Sequence, residues 1–244
     1  MILDSLENKR NILAKFLQLC PLEGWSEEVL TRAIIECQIE AKFKNLLFEN
    51  GCLDLIQFYI EEKNRNLAQI IAAEPNFSSF KIRQKIKFAL YNLFEREKEN
   101  QLALQRLRNF YFNPKNFTTV KYGPKPLLMA FQHVEKIADF IWKEIGDKST
   151  DFNFYTKRLT LSKIILQSFA VFVKDQSQNL QTTKSFIDLQ IEKVMKFEKM
   201  KSQVKNFSAN LCEKSGQFFH DESGNLKTPK QVFTSLPFVR LFKK

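Results

Sequence analysis

Turn-forming residues are scarce in this chain. Its 244 residues include six glycines and seven prolines. So few breakers argue against a many-stranded sheet and for long helices. Cysteine is scarce too. The four cysteines, Cys20, Cys37, Cys52 and Cys212, are far apart and form no Cys-x-x-Cys. Of the two histidines, His133 lies far from them in sequence and His220 stands eight residues beyond Cys212 alone. That spacing argues against a disulfide framework and a zinc site, and fits a reducing cytoplasm. No stretch reaches about 18 apolar residues, so no bilayer span is expected. Asp4, Glu7, Lys9 and Arg10 interrupt any apolar start, so a signal peptide is not expected either. Glycine-rich dinucleotide and phosphate loops and the Gly-x-Ser-x-Gly elbow are missing. Neither histidine stands three residues after a glutamate, as a helical di-iron site would need. The chain therefore reads as non-catalytic, with no metal and no catalytic cofactor.

What the chain has in quantity is phenylalanine and positive charge. There are 25 Phe residues, hydrophobic residues make up 44%, and the net charge is +11. The Phe excess fits either a codon bias or a wide apolar pocket. The charge is uneven: from Lys193 to Lys244, eleven Lys and Arg face four carboxylates. A basic end of that kind suits an anionic membrane or nucleic acid.

Apolar periodicity predicts a helix over Leu3–Cys20, with Leu6, Leu13, Phe16, Leu17 and Cys20 on one face, ended by Pro21 and Gly24. Trp25 is expected under the turn. Ser26 is a good N-cap for a second helix, Glu27–Glu36, whose first turn is acidic. A third short helix, Ile39–Phe48, and a longer one, Leu53–Ile71, follow. The site of a recognition helix is Glu40 to Leu47, where Lys42, Lys44 and Asn45 could meet phosphate. No arginine lies there, and Glu36-Cys37-Gln38 replaces the usual glycine turn. Beyond Pro75, a helix from Phe80 to about Asn109 is expected to bend or break near Glu95–Asn100. Asn113–Pro126 reads as a loop. Leu127, Phe131, Val134, Ala138, Ile141 and Ile145 form a strong amphipathic stripe. Asp151–Lys174 is the most apolar helix and reads as buried nearly all round. Thr182 or Thr183 caps the next helix, with Phe186, Ile187, Ile191, Val194 and Phe197. His133 reads as a boundary residue rather than a base. The last candidate, Val204–Phe219, carries Phe207, Leu211 and Phe218 on one stripe with Phe219 beside it. With flanking lysines it suits either a membrane interface or its own bundle.

Gly146 to Arg158 joins two of these helices. Gly146 suits a helix end that needs positive φ, and Ser149, Thr150 or Asp151 could cap the next helix. Phe154 and Tyr155 are adjacent, so one core stripe cannot hold both rings. The segment fits either a capped core helix or a docking patch anchored by Tyr and Arg.

This segment, Asp151-Phe-Asn-Phe154-Tyr155-Thr-Lys-Arg158, resembles the signature of the ubiquinone-biosynthesis lipid-binding accessory proteins, the ninth coenzyme Q family. Phe154 stands where that family often has Trp, so an indole N–H is lost. The likeness extends through Ile141-Trp142, Lys174-Asp175-Gln176-Ser177, Phe186, Asp188 and Ile191, and more weakly through Gly24-Trp25-Ser26-Glu27. It implies an all-α, TetR-like bundle: a vestigial helix-turn-helix head over 1–52, a lipid-binding and dimerisation domain over 53–202, and an amphipathic helix with a basic tail over 203–244. It implies a homodimer, peripheral on the cytoplasmic face of the inner membrane. The protein would hold an isoprenoid or quinone lipid and present it to the demethoxyubiquinone hydroxylase. Phe131, Ile164, Ile165, Phe169 and Phe172, on the two most apolar helices, are candidate pocket residues. Asp151, Phe154, Tyr155 and Arg158 correspond to the partner-docking face, where Tyr155→Ala with Arg158→Ala is expected to weaken binding while sparing the melting temperature. Phe207, Leu211, Phe218 and Phe219 correspond to the membrane contact. The alternatives are a TetR-type DNA-binding regulator and a plain structural scaffold.

Overall fold

The computed structural model describes residues 5–113, 125–150 and 152–197. Every regular element among them is helical, as expected. The elements are α1 (Leu6–Glu23), α2 (Glu27–Glu36), a 3₁₀ turn (Ala41–Phe43) running into α3 (Lys44–Leu47), α4 (Cys52–Ala73), α5 (Ile82–Glu95), α6 (Gln101–Phe112), α7 (Lys125–Ile145), α8 (Phe152–Phe172) and α9 (181–197). Residues up to Ile191 form one compact unit, and Glu192–Lys244 form a second. Of that second unit, residues 192–197 are described, as the end of α9. The 203–244 segment, with Phe207, Leu211, Phe218 and Phe219, lies outside the described residues, as does Asp151.

The first corner forms much as its sequence suggests. Ser5 caps α1 by accepting from the Asn8 N–H at 3.1 Å, and Ser26 caps α2 by accepting from the Val29 N–H at 3.3 Å. Gly24, at φ +85°, ends α1. Pro21 does not end it but sits inside the last turn. A proline there leaves the Leu17 carbonyl without its helical donor, and the Cys20 thiol lies 4.0 Å from that oxygen. Trp25 is buried against Phe16 and Tyr59, with ring centroids 4.8 and 6.0 Å away, and its indole N–H donates to the Ala103 carbonyl at 2.8 Å. Ile12 is buried where the periodicity named Leu6, which is exposed.

The expected third helix is only a 3₁₀ turn and one α turn. Gln38 takes the positive φ, +61°, that the missing glycine would supply. The Ile39 N–H reaches the Ile34 carbonyl and the Gln38 N–H the Ile35 carbonyl, closing α2 in a Schellman arrangement with Ile39 buried behind it. Lys42 pairs with Glu40 at 2.7 Å and Lys44 with Glu27 at 3.1 Å. Glu27 also accepts the Cys52 N–H at 2.9 Å, tying α2 to the start of α4. Gly51 takes φ +59°, a backbone conformation that favours glycine, and a Cβ there would crowd that carboxylate. The two cations of the Glu40–Leu47 segment are thus held by carboxylates of the same chain.

The expected break near Glu95–Asn100 separates α5 from α6. Buried Glu97 lies in it and accepts from the Tyr59 hydroxyl and, at 3.2 Å, from Asn100. α7 is the hub, packing on α4, α5, α6 and α8. Because helices meet it from several sides, its buried face broadens to Ala130, His133, Ile137, Ala138, Ile141 and Trp142. Phe131, near the start of α7, is 52% exposed. His133 is buried, not at the boundary. The Tyr111 hydroxyl donates to its Nδ1 at 2.7 Å, and its Nε2–H faces Gln57 Oε1 at 3.1 Å, joining α6, α7 and α4. Burial, with Lys136 nearby, pushes the imidazole down to about 4.

α9 starts differently from expectation. Thr182 and Thr183 lie in its first turn, and the capping acceptors come from upstream. Ser177 Oγ accepts the Thr182 N–H at 3.0 Å, and Asp175 accepts the Thr183 N–H and hydroxyl at 2.8 and 2.6 Å. Burial alone would raise the Asp175 carboxyl, but the bonds from Ser177 and Thr183 win and hold it at about 2.

Candidate functional site at the α7–α8 junction

Gly146, at φ +87°, closes α7, and the Asp147 N–H reaches back to the Trp142 carbonyl at 3.0 Å. The chain then turns into α8, which lies against α7. Trp142 Nε1–H donates to the Lys157 carbonyl at 3.2 Å, and the Lys157 ammonium stands 5.3 Å over the Trp142 ring. Arg158 is the centre of this junction. Its Nε donates to Asp139 at 2.6 Å, and one Nη donates to Asp147 and to the Phe154 carbonyl, each at 3.2 Å. The guanidinium carbon is 3.4 Å from the Phe154 ring centroid. Asp147 also accepts from Lys157 and Ser149, each at 2.6 Å. Burial would raise the Asp147 carboxyl, but hydrogen bonds from Lys157, Ser149 and Arg158 bring it down to about 2. The Asp139 carboxyl is likewise lowered, the partial burial being outweighed by Lys143 and Arg158.

This geometry changes the reading of Arg158. The residue is 6% exposed, with both carboxylates and an aromatic face around it. It holds two helices together and does not present a free guanidinium to a partner. A silent Arg158→Ala is therefore no longer expected, because Arg158 is the one cation shared by Asp139 and Asp147, and its loss leaves Asp147 to Lys157 and Asp139 to Lys143 with nothing joining them. Phe154 is half-buried, edge-on to Tyr155 with centroids 5.2 Å apart, and serves as the platform for Arg158. Of the docking quartet within the described residues, Tyr155 alone stands out, at 69% exposure.

α8 is not buried all round. Leu159, one turn beyond Tyr155, is 74% exposed, and the stripe continues through half-buried Leu166. Neither Leu159 nor the clasp acids Asp139 and Asp147 was singled out by sequence reasoning. Leu159 had a signal: a helix apolar on every side must either sit in a core or wait for a cover. The acids had none, since their partner lies 11 and 19 residues away. The candidate pocket residues scatter. Ile164, Ile165 and Phe172 are buried in the core, with Phe172 against the Phe94 ring at 5.2 Å. Phe169 is half-buried and Phe131 exposed.

A cavity of about 620 Å³ does exist, but between α1, α4 and α5, and none of those five residues lines it. Its walls include Leu13, Leu17, Leu67, Ile70 and Leu93 with the charged Lys63 and Arg96. Among the described residues no helix is long and apolar enough to cross a membrane, and no cluster of His, Cys, Asp and Glu could hold a metal ion.

The COQ9 family model matches residues 127–198, from the start of α7 through α9. The chain is 24% identical over 203 residues to the probable ubiquinone biosynthesis protein coq9, mitochondrial, of Dictyostelium discoideum, covering 81% of this chain and 63% of that protein. It is 22% identical over 205 residues to the ubiquinone biosynthesis protein COQ9, mitochondrial, of Bos taurus, covering 84% and 63%. With the Schizosaccharomyces pombe ubiquinone biosynthesis protein coq9, mitochondrial, it is 25% identical over 199 residues, covering 80% and 73%. The chain thus spans about 63% of the length of the first two relatives. The resemblance read from the Asp151–Arg158 segment is borne out: the chain is similar to the COQ9 proteins.

Proposed function

From this likeness to the COQ9 proteins along four fifths of the chain, we propose a non-catalytic lipid-binding accessory protein of ubiquinone biosynthesis. It holds a polyprenyl or quinone intermediate and presents it to the demethoxyubiquinone hydroxylase at a membrane surface. The observation that carries this reading is the open apolar strip of Tyr155 and Leu159 beside the Arg158 clasp, inside the segment matched by the family model. Water-facing Tyr and Leu on an otherwise tightly clasped helix pair suit a surface covered by a partner. A polyprenyl tail cannot reach a soluble active site unaided, since each CH₂ buried is worth about 0.8 kcal/mol. A protein that shelters the tail offsets that cost.

The finer assignments follow the same reading. Tyr155, supported by Phe154, takes the docking role, with Arg158 and Asp147 holding the strip in place. The homodimer and the membrane contact through Phe207, Leu211, Phe218 and Phe219 belong to it too, as does a site peripheral on an inner membrane. The relatives' names place those proteins in mitochondria. A TetR-like regulator is not favoured, because the third helix is a single turn and its two lysines are engaged by carboxylates.

Native mass spectrometry of the purified full chain tests the carrier reading. A retained adduct with the mass of an isoprenoid or quinone lipid is expected. Bare protein from a ubiquinone-producing host would overturn the carrier and leave a scaffold.

A further inference from the structure

The cavity between α1, α4 and α5 lies apart from the α7–α8 strip and from every residue assigned above. It is long rather than round. Tyr59 and Ala73 both line it and lie 14 residues apart on α4, which at 1.5 Å per residue is about 21 Å. Its bed is apolar: Leu13, Leu67 and Leu93 are buried, Leu17 and Ile70 half-buried. Its volume, about 620 Å³, is that of a site for a small molecule.

The charges along it are unequally engaged. Glu62 is held by Arg10 at 2.7 Å and by Arg65. Glu97 is held by the Tyr59 hydroxyl and Asn100. The cations are less committed. Lys63 has a carboxylate oxygen of Glu97 at 3.7 Å and stands 5.3 Å over the Tyr59 ring. Arg96 lines the cavity, is exposed, and makes no salt bridge among the described residues. An elongated apolar bed with an unengaged guanidinium and a loosely paired ammonium complements one kind of molecule.

We propose that this trough binds a single-chain anionic amphiphile, its tail on Leu13, Leu17, Leu67, Ile70 and Leu93 and its carboxylate or phosphate head on Arg96 and Lys63. This site goes beyond the carrier reading and does not depend on it. A neutral isoprenoid held elsewhere would leave it untouched.

Isothermal titration of the full chain with dodecanoate, dodecyl phosphate and dodecanol, all below micelle formation, tests it. Both anions are expected to bind at one site per chain, with the alcohol at least about tenfold weaker, the size of one charge-assisted hydrogen bond. Arg96→Ala removes the head contact, and Ala14→Trp blocks the trough from an exposed rim position. Each should weaken both anions about tenfold or more, with the thermal melt of wild type. Ala73→Trp, also on the rim, serves where Ala14→Trp lowers the melt. Tight binding of one anion alone would assign the head as carboxylate or phosphate. Equal binding of the alcohol, no anion binding, or anion binding unchanged in both a blocking variant and Arg96→Ala would overturn the site.

Discussion

The Trp25 corner and the α7–α8 junction are each two helices closed over a short connection that a positive-φ glycine begins. They finish differently. In the first, the ring is enclosed and its polar groups are paired: the Trp25 indole is hydrogen-bonded, and Glu27 serves both Lys44 and the start of α4, while Leu22 alone of the turn's large apolar side chains stands in water. In the second, an equally dense inner network, Arg158 between Asp139 and Asp147, lies under an outer strip left in water. The first arrangement has the form of a finished fold. The second has that of a rigid platform for something else, and it lies within the 127–198 match. The difference between them is one exposed leucine against a strip of two large side chains one helical turn apart.

Four substitutions or conditions probe this contrast, taken from the largest effect downward. Trp25→Ala should cost about 4 kcal/mol, since it empties an aromatic site and strands the Ala103 carbonyl. In a chain of this size that lowers the melting temperature by roughly 10 °C or more. A near-wild-type melt would remove the corner as a finished core. Arg158→Ala should cost about 2 kcal/mol, the loss of charge-assisted hydrogen bonds to Asp139 and Asp147, which keep only Lys143 and Lys157, again read by thermal melt. An unchanged melt would return Arg158 to the surface role first expected of it.

Acid should act in two separate windows. His133 has a folded value lowered from 6.5 to about 4, so the unfolded chain takes up the proton first. Stability therefore falls as pH drops from about 6.5 to about 4. Asp147 and Asp175, lowered from 3.8 to about 2, lose their contribution as pH falls from about 4 to about 2. Urea unfolding across pH should show both steps, and His133→Gln should flatten the first alone. A first step that survives His133→Gln would mean another group causes it. Smallest of all, Tyr155→Ala should move stability by no more than about 0.5 kcal/mol, as an exposed site does. A large loss would mean that the strip is already covered within the chain.

The two regions were also unequally legible in the sequence. Ser26, Gly24 and Trp25 announced the first corner because caps and turn residues act over three or four positions. The Glu95–Asn100 break showed as a run of charge. The recognition segment misled, because its period is helical while Gln38 and the Schellman closure leave room for only one turn. The apolar helix made Phe131 a pocket candidate, but periodicity says which side of a helix is apolar and not whether a neighbour covers it at that level. The Asp151–Arg158 motif joined an exposed and a buried side chain in one expected face. Tyr155 and Arg158 are three residues apart, and only the distant acids Asp139 and Asp147 show that one faces water and the other is locked inside. The α1–α4–α5 trough had no sequence signature, since its walls come from segments some 80 residues apart.

The most direct test of the open-platform account is the affinity of the demethoxyubiquinone hydroxylase for a chain carrying Tyr155→Ala and Leu159→Ser, compared with wild type at equal melting temperature. The account predicts binding at least about tenfold weaker, the loss of an interface anchor. Equal affinity would contradict it.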